Sequence, residues 1–190
     1  MRVLLSTYGG RGDVEPLVGL AVRLRELGAE VRICAPPDFS GLDRCAERLA
    51  EVGVPLVPAG PPVRPLVHGA ARPSPPDLPR LAAEIMAVQF DTLATAAEGC
   101  DALVASGLLP AAASARSVTE KLGIHYVYAA YCPIFLPSQH NPPTPFPGRP
   151  FPPDVTDNRV LWELNAQVAN ELFGEALNID RKSTRLNSSH

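Results

Sequence analysis

Short apolar segments alternate with longer amphipathic segments along most of this chain, and glycine or proline marks most of the boundaries. RVLLST near the start is a short apolar run followed by glycine, which is typical of a buried parallel strand. Leucines then recur at helical spacing from Pro16 to Gly28, and EVRICAP predicts a second strand. By the same criteria we predict strands at 54–60, 100–107 and 124–132, and helices at 42–53, 80–99, 109–123 and 158–178. The alternation predicts an α/β fold, a doubly wound parallel sheet with helices on both faces.

Composition and charge exclude several classes of protein. The chain has 190 residues, of which 46% are hydrophobic, and this is enough for one domain with a full core. A net charge of -3 gives no excess of positive charge for nucleic acid, and no apolar run is long enough to span a membrane. The N-terminus lacks the apolar core of a signal peptide, so we expect a cytoplasmic protein. The four cysteines have no CxxC spacing and form no cluster with histidine, so we expect free thiols and no metal site.

The distinctive loops all fall at one edge of the predicted sheet. They are Tyr8–Asp13, Ala35–Asp38, Ser106–Leu109 and a proline-rich loop at 133–157. Because ligands of doubly wound sheets bind at the carboxyl ends of the strands, the functional site is expected there. The loops predict the position of the site and leave its chemistry open.

The first loop, YGGRGDVEP, is open to three interpretations. In a dinucleotide-binding turn, Gly10 and Gly12 would be the first glycine pair, but Glu15 occupies the place of the third glycine. Asp38, the acidic residue after the second strand, lies beyond two prolines, so binding of NAD has little support. A purely structural loop would use Asp13 as the N-cap of the helix, with the three glycines supplying positive φ.

The third interpretation of this loop is catalytic. A carboxylate at Asp13 would face the ligand crevice and could take a proton from a substrate hydroxyl. Glycines allow a phosphate to approach the backbone, the helix N-terminus adds positive potential, and Arg11 could pair with a phosphate oxygen. The residues alone leave the structural and catalytic interpretations open.

The opening stretch MRVLLSTYGGRGDVEPLVGLAVRLRELGAEVRICAPPDF resembles the start of the glycosyltransferases that decorate glycopeptide and macrolide antibiotics. The resemblance continues to about Asn178. These enzymes are inverting and have two Rossmann-like domains in the architecture called GT-B. The resemblance implies that this chain is the N-terminal half, which binds a hydrophobic natural-product or lipid-like acceptor. The C-terminal half of such enzymes binds the nucleotide-sugar.

The resemblance also assigns roles to particular residues. It implies that Asp13 is the catalytic base for the acceptor hydroxyl, and that Gly10, Arg11 and Gly12 form the loop near the sugar-diphosphate. The nucleotide-sugar is a co-substrate, so no cofactor and no metal is expected.

Two groups of residues are weaker candidates for contact with the acceptor. Ser106, Gly107 and Leu108 follow the fourth predicted strand, where an ordinary strand-to-helix turn is the slightly favoured alternative. Phe135 and His140 lie in the proline-rich loop, for which disorder is an alternative.

The resemblance leads to a complete expectation for the chain. We expect an acceptor-binding domain at 1–180, a non-native or disordered tail at 181–190, and a missing C-terminal donor domain. The full-length parent would be a nucleotide-sugar-dependent hexosyltransferase, and this fragment alone would be inactive. The alternative is a non-catalytic Rossmann-like binding module that acts with a separate partner. A nucleotide-dependent oxidoreductase is disfavoured by Glu15.

Overall fold

A computed structural model of the chain describes residues 1–39, 47, 49–63, 65, 74–132 and 136–187, with side chains omitted at 39 and 179–187. Within this part of the chain, five strands form one sheet. The strands are β1 (Arg2–Tyr8), β2 (Glu30–Ala35), β3 (Leu56–Pro58), β4 (Ala102–Gly107) and β5 (His125–Tyr128). The long helices are α1 (Arg11–Glu26), α2 (Leu78–Ala96), α3 (Leu109–Leu122) and α4 (Asn158–Asn187).

The sheet is parallel throughout and has the strand order β3-β2-β1-β4-β5. Alternate residues of β1 enter two different cores, because successive side chains of a strand point to opposite faces. Val3 and Leu5 pack in one cluster with Leu17 of α1. Leu4 packs in the other with Val118 of α3. Helices therefore cover both faces, and the predicted doubly wound α/β fold is confirmed.

The strand order reverses between β1 and β4. From β1 the chain continues to β2 on one side, whereas from β4 it continues to β5 on the other. The two strands are paired to their ends, where Tyr8 lies opposite Gly107 and the Leu108 N–H donates to the Tyr8 carbonyl at 2.9 Å. The connections that follow β1 and β4 therefore form the two walls of the crevice at the switch point.

The structure corrects the expected start of the first helix. α1 begins at Arg11, so only Gly9 and Gly10 connect it to β1, and Asp13 lies in its first turn. None of the glycines at 9, 10 and 12 has a positive φ. The prediction that these glycines supply positive φ is therefore wrong.

Other boundaries differ from the sequence-based expectation. Strand β5 ends at Tyr128, and the backbone of α4 continues to Asn187, past residue 178 where the helix was expected to end. Most of the helix predicted at 42–53 lies outside the described residues, and 49–51 are helical. The domain boundary at residue 180 remains a prediction.

Helix α4 docks the proline-rich loop onto the domain. Phe173 of α4 is buried with Leu172 and with Ala82 of α2. The Phe146 ring meets the Phe173 ring edge to face, with 5.7 Å between the centroids. No helix in the described part of the chain is long and apolar enough to cross a membrane.

Candidate functional site

Asp13 occupies the third position of α1 and turns back toward the start of the helix. Its Oδ2 accepts a hydrogen bond from the Gly10 N–H at 2.8 Å, and its own N–H donates to the Gly10 carbonyl at 2.9 Å. Gly10 is therefore the N-cap residue, and the structural interpretation of Asp13 as N-cap is wrong. Among the described residues, Oδ1 has no hydrogen-bond donor. One carboxylate oxygen is thus held by the backbone, while the other remains able to accept a proton.

Gly9 lies in close contact with this carboxylate. A Cβ placed on Gly9 would be 2.2 Å from Oδ2 and 2.7 Å from Cγ of Asp13. A Cβ on Gly10 or Gly12 would meet no heavy atom within 4 Å. Gly10 and Gly12 were the candidates from the sequence, but Gly9 has the least room for a side chain. The sequence signalled Gly9 only through the number of glycines in the loop, which is more than a simple turn needs.

The Asp13 carboxyl group is half-buried, and this burial raises its pKa above the usual value. The Gly10 N–H acts in the opposite direction but does not cancel the effect of burial. Burial also raises the pKa of the Tyr128 and Tyr131 hydroxyls, and the nearby charge of Asp13 adds to the rise in both. Two tyrosines therefore lie within electrostatic range of this carboxylate. The raised pKa makes Asp13 a better proton acceptor than an exposed aspartate.

Arg11 points away from the carboxylate and into solvent. Its Nε donates to Glu15 Oε1 at 2.6 Å, and 68% of the Arg11 side chain is exposed. Glu15, which stands in place of the third glycine of a dinucleotide loop, is thus the ion-pair partner of Arg11. An exposed pair at this helical spacing stabilises by only about 0.3–0.5 kcal/mol. A stronger anion that approaches the helix N-terminus can therefore compete for Arg11.

The three residues at the end of β4 differ in how far they are exposed. Leu108 is 46% exposed at the mouth of the crevice. Gly107 has φ +86°, and a Cβ there would be 2.5 Å from the Tyr8 carbonyl oxygen. Ser106 is buried. Of the three acceptor candidates at the end of β4, only Leu108 therefore has an exposed side chain.

Two buried hydroxyls lie beneath the crevice. Thr7 of β1 and Ser106 of β4 are directly paired in the sheet, and each is 1% exposed. Neither hydroxyl oxygen has a hydrogen-bond partner among the described residues. The Ser106 hydroxyl is nonetheless close enough to the Tyr131 hydroxyl to oppose the rise in the pKa of Tyr131. The end of the β1–β4 pair thus combines an available carboxylate oxygen with unsatisfied polar groups.

The candidates in the proline-rich loop are less closely connected to Asp13. Phe135 lies outside the described residues. His140 is exposed, and its hydrogen bonds go to Ser138 and Gln139. This part of the loop is fastened to the start of α4, where the Trp162 Nε1–H donates to the Asn141 carbonyl at 2.9 Å. No hydrogen bond of His140 reaches Asp13, so its role in acceptor binding stays a prediction.

The described residues contain no group of three His, Cys, Asp or Glu side chains that could hold a metal ion. Cys34, Cys100 and Cys132 are free thiols, and burial raises the pKa of Cys34 to about 12. The expectation that catalysis needs no metal or cofactor stays a prediction.

Comparison with known proteins gives consistent results. Residues 3–139 match the glycosyltransferase family 28 N-terminal domain. The glycosyltransferase GtfE of Amycolatopsis orientalis is 54% identical over 187 residues, which are 98% of this chain and 44% of the relative. The vancomycin aglycone glucosyltransferase of the same organism is 52% identical over 186 residues, with the same coverage of both chains. The chain thus spans less than half the length of these relatives.

The fold has a counterpart among solved structures. The calicheamicin glycosyltransferase CalG4 superimposes with a TM-score of 0.55 over 92% of this chain and 42% of that one, at 17% sequence identity. At this identity the likeness concerns the fold alone. It agrees with the Rossmann-like N-terminal half of a GT-B architecture that the sequence predicted.

Proposed function

The chain belongs to the glycosyltransferase family 28 N-terminal domains, and from this we propose that it is the acceptor-binding part of an inverting, nucleotide-sugar-dependent hexosyltransferase of the antibiotic type. One observation carries the proposal. Asp13 lies at the switch point between β1 and β4 with Oδ2 held by the Gly10 N–H and Oδ1 without a donor among the described residues. A half-buried carboxylate at this place has the chemistry of a general base.

In the proposed reaction, Asp13 Oδ1 takes the proton of an acceptor hydroxyl. The acceptor oxygen then forms a bond to the anomeric carbon of the sugar, while the bond from that carbon to the diphosphate breaks. Attack from the side opposite the leaving group inverts the anomeric centre, and the nucleoside diphosphate departs with the bonding electrons. Asp13 holds the proton until solvent removes it.

The acceptor that fits this site is a hydrophobic natural-product scaffold with a free hydroxyl. Leu108, Tyr128 and Tyr131 are all partly exposed at the carboxyl ends of β4 and β5. The two tyrosines lie within electrostatic range of Asp13, so an apolar scaffold that covers them would present its hydroxyl to the carboxylate. The names of the relatives, one of which is an aglycone glucosyltransferase, agree with an acceptor of this kind.

The nucleotide-sugar is proposed to bind mainly to a C-terminal domain that corresponds to the remaining length of the relatives. Departure of a diphosphate requires that its growing negative charge be stabilised. This domain offers the first turn of α1, with Gly10, Gly12 and the single cation Arg11, and Arg11 is already paired to Glu15. We therefore propose that residues 1–180 bind the acceptor and that the 190-residue chain alone is inactive. A cytoplasmic site of action is part of the same proposal.

Calorimetric titration of the isolated chain tests the division of binding between the two domains. We expect heat of binding with vancomycin aglycone and none with a nucleotide-glucose. Leu108→Asn is expected to weaken acceptor binding about fivefold, because loss of roughly 1 kcal/mol of apolar contact corresponds to that factor. Leu27→Asn is the matched control, since Leu27 is 67% exposed at the opposite edge of the sheet. Binding of the nucleotide-sugar but not the aglycone would contradict the proposal.

A further inference from the structure

We propose that Gly9 is a positioning residue for Asp13: its missing side chain creates the space in which one carboxylate oxygen docks against the backbone. This inference rests on the proposed function only for the catalytic meaning of Asp13. The docking itself is a property of the described structure. Gly9 and Gly10 together form what we call the carboxylate socket, in which Gly9 gives room and the Gly10 N–H donates the hydrogen bond.

Among the glycines at 9, 10 and 12, only Gly9 lacks room for a side chain. A Cβ there would lie 2.2 Å from Oδ2, 2.7 Å from Cγ and 3.2 Å from Cβ of Asp13. Such short carbon–oxygen and carbon–carbon contacts lie far inside the usual van der Waals separation of about 3.5 Å. Gly9 does not have a positive φ, so alanine is compatible with its backbone. The effect of a methyl group at this position therefore falls on the Asp13 side chain.

Displacement of the carboxylate would change its chemistry as well as its position. With Oδ2 pushed out of the socket, the bond from the Gly10 N–H is lost, and this bond now lowers the pKa of Asp13. Loss of this bond would make the carboxylate hold its proton more tightly, and Oδ1 would lose the orientation that the bond fixes. Gly9 thus sets both the direction and the basicity of Asp13.

The neighbouring glycines provide matched controls. Gly12 lies in the same helical turn as Asp13, and a Cβ there would meet nothing within 4 Å. Gly12→Ala therefore adds the same methyl group without contact with the carboxylate. It is also expected to favour the helix by about 1 kcal/mol, because alanine is a better helix former than glycine.

The first test measures the pKa of Asp13 in the 190-residue chain. Carboxyl-¹³C aspartate is incorporated, the Asp13 signal is assigned by its loss in Asp13→Asn, and its shift is followed against pH by NMR. In Gly9→Ala we expect the acid dissociation constant of Asp13 to fall about tenfold, the effect of losing one charge-assisted hydrogen bond. Gly12→Ala is expected to titrate like the wild type. An unchanged titration in Gly9→Ala, or an equal shift in Gly12→Ala, would overturn the proposal.

The second test remains informative even if Gly9→Ala does not fold well. We expect Gly9→Ala to lower the urea midpoint of the wild type but to have little effect in an Asp13→Ala background, where the crowded oxygen and Cγ are gone. If Gly9→Ala is just as harmful there, the proposed contact is not the cause and the inference fails. Neither test requires turnover, so failure here leaves the proposed transferase function untouched. Conversely, evidence against the transferase function would not affect the carboxylate socket.

Discussion

At the scale of single residues, the site depends on how one carboxylate is shared between folding and chemistry. Oδ2 of Asp13 accepts a hydrogen bond from the Gly10 N–H and so caps the start of α1. Oδ1 is left without a donor among the described residues. Burial keeps the pKa of the carboxyl group raised, so the folded protein pays a small cost for an ionised Asp13.

This cost predicts how stability changes with pH. Because the folded pKa of Asp13 is raised, its favourable contribution is fully present below the unfolded pKa, near 4, and is lost as the pH rises through the folded pKa. The free energy of unfolding of the wild type minus that of Asp13→Asn should therefore fall as the pH rises from below the unfolded pKa through the raised folded pKa. Urea unfolding of both proteins at several pH values measures this difference.

Asp77 provides the control for this measurement. It has a similar capping position, but hydrogen bonds from Ser74 lower its pKa. Its contribution is present above the unfolded pKa and is lost as the pH falls through the folded one. The difference between wild type and Asp77→Asn should therefore rise with pH. A difference for Asp13→Asn that also rises with pH would show that burial does not control Asp13.

At the scale of elements, the ends of β1 and β4 set the spacing of the crevice walls. Gly107 lets the two strands stay paired to their last residues, because a Cβ there would collide with the Tyr8 backbone. The Leu108 N–H then donates to Tyr8 and starts α3 directly after β4. In the proposed function, Leu108 is the residue of this segment that would contact the acceptor, while Gly107 is required by the backbone.

Substitution at the end of β4 should separate these roles. Gly107→Ala is expected to cost about 3 kcal/mol of unfolding free energy, from its positive φ and from the forced separation of β1 and β4. Ser106→Ala, one residue earlier, removes a buried hydroxyl without a partner among the described residues and should change stability by less than about 0.5 kcal/mol. Denaturant unfolding compares the two variants. Equal stability of Gly107→Ala and wild type would contradict the steric argument.

The sequence predicted the elements better than it predicted the site. Short continuous apolar runs indicate strands such as Arg2–Tyr8, because burial on both faces requires apolar side chains at successive positions. The start of α1 is not evident from the sequence because Gly10 and Gly12 are poor helix formers, yet the helix begins at Arg11. The socket at Gly9 depends on one rotamer of Asp13, and no sequence pattern encodes a rotamer.

The partner of the Arg11 side chain could not be predicted from the sequence either. Arg11 lies near a helix N-terminus, where it could contact a phosphate, and four residues before Glu15, where it could form a helical ion pair. The structure shows the ion pair. The position of His140 depends on how the proline-rich loop is fastened to Asn158 and Trp162, which are distant in sequence.

At the scale of the whole molecule, a group of exposed apolar side chains lies at the carboxyl edge of the described sheet. Leu108, Leu109, Val127, Tyr128 and Tyr131 are all exposed there by more than a third of their surface. The opposite edge carries Arg2, Arg25 and Arg32, whose side chains contact chain segments at the ends of helices. The apolar group at the carboxyl edge is the surface to which the proposed acceptor would bind.

The most direct test joins this domain to the remaining length of a relative. Residues 1–180 of this chain are joined to the C-terminal part of the 54% identical GtfE, and transfer from a nucleotide-glucose to vancomycin aglycone is measured. We predict turnover by the chimera, and in its Asp13→Asn variant a fall in kcat of about 100-fold or more with KM little changed, as for loss of a general base. A folded chimera whose Asp13→Asn variant keeps the wild-type kcat would contradict the central claim that Asp13 is the base.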